Sequence, residues 1–103
     1  MDYDKFKIEV ERLYCERKEL NNNDPKVYEL WEKISDFMAS NEALTIKLLD
    51  ECDSEAALWY SEVFDDISEK IKSAKFIKVL ENLDTKFPDL KLTKLINDAK
   101  NYL

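Results

Sequence analysis

The chain has 103 residues and a mass of 12.2 kDa, one domain's worth, with no room for two independent cores. Apolar residues make up 45% and charged residues 38%, so a modest core sits beneath a mostly ionised surface of net charge −7. The absence of histidine removes His-based acid–base chemistry, Ser-His and Cys-His nucleophile pairs and most zinc sites, and the absence of glycine removes phosphate-cradling loops and dinucleotide fingerprints.

Six helices are expected in one all-α domain spanning residues 1–103. The first runs from about Asp2 to Leu20, with Tyr3, Phe6, Val10, Leu13 and Tyr14 recurring at helical spacing. Asn21, Asn22 and Asn23 end it, and Asp24-Pro25 restarts helix with Asp at the N-cap and Pro in the first turn. The second helix reaches about Ala39 on a stripe of Val27, Leu30, Trp31, Ile34 and Met38, with Tyr28 off the stripe. A short third helix follows Ser40-Asn41 and ends at Cys52, with Leu44, Leu48 and Cys52 inward. Asp53-Ser54 caps a fourth helix over about Glu55 to Ile71. Ser73 caps a fifth, with Phe76, Leu80, Leu83 and Phe87 inward. After the Pro88-Asp89 break, Leu92, Leu95, Ile96, Ala99 and Leu103 give the last stripe. Such short breaks predict five or six helices packed as successive antiparallel hairpins, either a compact bundle or a short solenoid.

No apolar run resembles a signal-peptide core or approaches the ~20 residues of a membrane span, so a cytoplasmic location and no membrane partner are expected. Cys15 and Cys52 have no metal-ligand spacing and are expected as reduced, partly buried thiols. No enzyme activity, cofactor or metal is expected.

Charge is uneven along the chain. Residues 41–70 carry nine acids and two bases, whereas residues 71–103 carry four acids and seven bases. On a wheel of the fourth helix, Ala56, Tyr60, Val63, Phe64, Ile67 and Ile71 form the core side. Glu55, Glu62, Asp65, Asp66 and Glu69 gather opposite. Four like-charged pairs on one continuous face cost together about 1–2 kcal/mol. Leu58 points into that face and Trp59 borders it. An acidic face with apolar anchors suits an interface to a basic partner. The alternative is a solvated helix face, with Trp59 tucked under a neighbouring helix.

Asp50, Glu51 and Asp53 form a secondary acidic candidate at a helix junction. A calcium loop needs a glycine at its sharp turn, so helix capping by Asp53 or Ser54 is the better reading. The C-terminal lysines, among them Lys72, Lys75 and Lys78, are interleaved with acids, and direct nucleic-acid binding is not expected at this net charge.

The run Trp59-Tyr60-Ser61-Glu62-Val63-Phe64-Asp65-Asp66-Ile67 continues through Phe76-Ile77 and Leu80-Glu81-Asn82-Leu83-Asp84. It closes at Phe87-Pro88-Asp89-Leu90-Lys91-Leu92-Thr93-Lys94-Leu95-Ile96. Over residues 59–103 this resembles the small, acidic, all-helical immunity proteins of bacterial contact-dependent growth inhibition systems. The resemblance implies a cytosolic, non-enzymatic inhibitor of a cognate toxin domain, of ribonuclease type, in a 1:1 complex. A nuclease site must attract phosphate and is basic, so an acidic helix face is a natural plug for it. Competing expectations are an acidic mimic of nucleic acid that occupies a DNA-binding enzyme, and a helical adaptor module.

Overall fold

Asp2 opens the first helix: its carboxylate accepts the Lys5 backbone N–H at 2.9 Å. The computed structural model describes residues 1–103, and all six expected segments are helical, with no β-strand. Helix α1 (Tyr3–Glu19) buries Phe6, Val10, Leu13 and Tyr14, then ends its stripe on a buried arginine, Arg17. Pro25, not Asp24 as expected, stands at the N-cap of the second helix, and Asp24 lies one residue before it. The Asp24 carboxylate accepts the Lys26 N–H at 2.9 Å, and α2 (Lys26–Ala39) begins after Pro25. Helix α2 buries Val27, Leu30, Ile34 and Met38. Trp31, expected in the core, is only half-buried.

Helix α3 (Glu42–Glu51) is tied back to α2 by the Thr45 hydroxyl, which donates to the Met38 carbonyl at 2.7 Å. Its inward face is Thr45, Leu48 and Leu49, while Leu44 and Cys52 are half-buried. The expected fourth helix is broken. Helix α4 (Ser54–Tyr60) passes through a 3₁₀ turn at Ser61–Val63 before α5 (Phe64–Ile71) starts. Ser73 caps α6 (Ala74–Lys86), accepting the Phe76 N–H at 3.2 Å. A 3₁₀ turn at Pro88–Leu90 leads into α7 (Thr93–Lys100), which stops short of Leu103. Leu95 and Leu103, expected inward, are exposed.

Two corners take left-handed backbone without glycine, at Lys72 (φ 47°) and Lys91 (φ 55°). Each carries the strain of an L-residue in that region, about 1–2 kcal/mol. Both sit where one short helix must stop at once for the next to begin.

Helix α2 packs on α1, α3 and α5; α5 also packs on α7, and α6 joins α7 to α3. The hairpin expectation holds for α1/α2, α2/α3 and α6/α7. It fails for α3, whose main later partner is α6 rather than the next helix in sequence. That return closes the chain into a bundle of 32 × 29 × 24 Å, which excludes an open solenoid. One continuous core draws a fully buried residue from every helix: Phe6, Ile34, Leu48, Ala57, Phe64, Leu80 and Ala99. No helix is long and apolar enough to cross a membrane. Both cysteines are free, but Cys15 is exposed rather than partly buried, and Cys52 is half-buried.

Candidate functional site

Glu62 lies in the 3₁₀ turn between α4 and α5 and accepts three hydrogen bonds from two residues. Arg17 donates to it through Nε at 2.9 Å and Nη2 at 2.7 Å, a two-pronged pairing of fixed geometry. The Trp31 indole N–H donates at 3.0 Å. Arg17 is only 3% exposed. Its guanidinium carbon lies 5.9 Å from the Trp31 ring centre and 5.4 Å from that of Trp59, and Nη2 also donates to Asn22 Oδ1 at 3.0 Å. A buried arginine with a carboxylate, an amide and two aromatic faces has its donors and charge well matched.

This clasp changes the roles expected of two residues. Glu62 faces inward to Arg17 and Trp31 and is not a free surface charge. Trp59 is half-buried, with Arg17 on its ring and Lys18 Nζ 5.4 Å from the ring centre. It therefore supports the bend instead of standing out as an apolar anchor. Leu58 does stand out, at 52% exposed.

The break also alters the electrostatics of the acidic face. Glu55 sits in the first turn of α4, and Asp65 and Asp66 in the first turn of α5. Negative charge at a helix N-terminus is favoured by the helix dipole. The repulsion expected along one continuous face is thus reduced, because Glu62 lies outside both helices. Asp65, Asp66 and Glu69 remain together on α5 without an ion-pair partner. Partial burial and the neighbouring Asp65 raise the Asp66 carboxyl above its ordinary pKa.

Aromatic residues border this face on its α2 side. Between α2 and α5 lies an open recess of about 430 Å³, lined by Tyr28, Trp31, Glu32, Glu62, Asp65 and Asp66. Tyr28, at 71% exposed, meets Trp31 edge to face at 5.4 Å. The Tyr102 phenol is raised in pKa, chiefly by the charge of Glu69. Sequence reading singled out Tyr28 as off its stripe but gave it no role in the face. Glu32 was missed as well; it pairs with Lys70 at 3.3 Å across α2 and α5. The available signal was the pairing of Tyr28 with Glu32 one turn later on the outer side of α2.

The secondary acids lie elsewhere. Glu51 and Asp53 line a separate groove of about 370 Å³ with Tyr3, Cys15, Cys52 and Trp59. Asp53 caps α4, accepting the Ala56 N–H at 2.8 Å, and Asp50 offers its backbone carbonyl to Lys86 at 2.8 Å. Nowhere do three or more His, Cys, Asp or Glu side chains converge as metal ligands would. Comparison with protein-family models, characterised proteins and solved structures finds no match to this chain.

Proposed function

We propose that this chain is a non-catalytic immunity protein that neutralises a basic toxin domain of nuclease type. In this reading the outer face of α5 covers the toxin's phosphate-attracting site in a 1:1 complex in the cytoplasm. One observation carries it: Asp65, Asp66 and Glu69 stand side by side on α5 with no cation of their own chain paired to them. A surface that concentrates unpaired charge beside exposed Tyr28, with Leu58 exposed on α4, has the makeup of a steering patch with anchors. The resemblance of residues 59–103 to growth-inhibition immunity proteins points the same way.

The roles within the surface follow from position. Asp65, Asp66, Glu69 and Glu55 speed encounter, Leu58 and Tyr28 slow dissociation, and Glu62 and Trp59 hold the bend that aims them. The test is co-expression with the C-terminal domain of a large exoprotein encoded beside this gene. Relief of growth arrest, a purified 1:1 complex and loss of protection in the double reversal Asp65→Lys/Asp66→Lys are expected. No complex, or full protection by the reversed variant, defeats the reading.

A further inference from the structure

The clasp and the recess share two residues. Trp31 and Glu62 hold the Arg17 guanidinium, and both also wall the recess, which Arg17 itself does not line. The recess therefore has the same kinds of surface that already bind a guanidinium in this molecule: aromatic faces and carboxylate edges. It adds an accessible ring, Tyr28, set perpendicular to Trp31 at 88°. Two of its four carboxylates are matched within the chain, Glu62 by Arg17 and Glu32 by Lys70. Asp65 and Asp66 are not. The cavity thus has a surplus of negative charge, space for a side chain and an aromatic wall.

We propose that this recess receives a single arginine side chain of the basic partner, stacked on Tyr28 and forked to Asp65 and Asp66. The inference rests on the partner-binding reading above and deepens it. A planar guanidinium suits the site on both counts, because it stacks on aromatic rings and donates to two carboxylates at once. A lysine ammonium would keep the charge attraction and lose the stacking and the fork. A hard metal ion gains nothing from the aromatic walls, which contribute no oxygen ligand where Tyr28 and Trp31 stack. The carboxylates favour arginine through the fork, and the ring of Tyr28 adds the stacking.

The probes are hexa-arginine and hexa-lysine peptides of equal charge, titrated into the full chain. Affinity and the Trp31 indole N–H resonance are followed together. Hexa-arginine is expected to bind about ten-fold more tightly than hexa-lysine and to move the Trp31 signal. Tyr28→Ala should reduce that preference and Tyr28→Phe should keep it. Tyr28 is exposed, so both variants should melt like the parent. Equal affinity for the two peptides, no saturable binding, or a preference undiminished by Tyr28→Ala overturns the proposal. These results leave the steering role of α5 untouched, since that role stands or falls on capture of the toxin domain by the Asp65/Asp66 reversal. An arginine preference alongside a toxin domain that never binds would uphold the recess and defeat the immunity reading.

Discussion

Arg17 and Glu62, 45 residues apart in sequence, meet prong to prong at 2.9 and 2.7 Å. The contact joins the end of α1 to the bend between α4 and α5, so the direction of the acidic helix is set by a residue of the first one.

Arg17→Ala should therefore be among the most damaging single changes outside the apolar core. It leaves Glu62 without its cation in a half-buried site, which costs about 3–5 kcal/mol. Arg17→Lys should recover only part of this, because an ammonium cannot fork to both oxygens while lying between two indoles. Urea unfolding of the three proteins measures the order. An Ala variant as stable as the parent removes the clasp from any account of the fold.

Charge reversal on α5 should act on binding without harming the fold. Asp65→Lys/Asp66→Lys is expected to slow association with a basic partner by about ten-fold at low salt and to flatten the salt dependence. Stopped-flow mixing at several ionic strengths reads both. The melting temperature should fall only slightly, since neither carboxylate has an ion-pair partner within the chain and the loss is confined to the favourable charge in the first turn of α5.

Asp66→Asn separates stability from capture. Partial burial and Asp65 raise the Asp66 pKa, so its charged form is disfavoured in the folded chain. Its stabilising contribution is complete below the unfolded-state pKa and disappears as pH rises through the folded one. At neutral pH the neutral amide should consequently raise the melting temperature, and the gain should vanish in acid. The same change should weaken partner capture, a trade of activity against stability at one atom.

Tyr14 offers a cleaner test of the core. It is buried against Tyr60, yet its hydroxyl has no hydrogen-bond partner. Tyr14→Phe should be neutral or stabilising by up to about 1 kcal/mol, because an unpaired buried hydroxyl is a cost. Burial raises the Tyr14 and Tyr60 phenols above their ordinary values and pushes the Cys52 thiol up to about 11. For each, the neutral form is favoured in the folded chain, so stability is intact below the unfolded-state pKa and falls as pH climbs through the folded one. Alkaline unfolding should begin near the ordinary thiol value of 9.0 and be delayed in Tyr14→Phe. Melting curves across alkaline pH, with parent and variant side by side, read both effects.

The helices were legible because their signals are local. The apolar spacing of Phe6, Val10 and Leu13, the caps at Asp53 and Ser73 and the Phe87-Pro88 break each act within a turn or two. The bend at Ser61–Val63 was not, because no proline or glycine marks it. It is fixed by a partner 45 residues away, and the Ser61 hydroxyl bonding back to Leu58 assists it locally. The same distance effect explains the site. Asp65, Asp66 and Glu69 could be placed on one face from spacing alone. That Glu62 turns inward, and that Tyr28 arrives from α2 to border the face, depends on how helices pack. Leu103 matched a helical stripe, yet α7 ends at Lys100 before reaching it, and Leu95, within α7, lies at the exposed edge of the stripe that buries Ile96 and Ala99.

The bend also divides the acidic surface into two patches with separate bearings. Glu55 and Leu58 ride on α4, while Asp65, Asp66 and Glu69 ride on α5. A straight helix would make them one contact, in which any substitution disturbs its neighbours. These residues share no ion pair within the chain, so substitutions on the two helices should have additive effects on stability. The Arg17–Glu62 joint is the fixed point between them, so a substitution there reaches both helices at once.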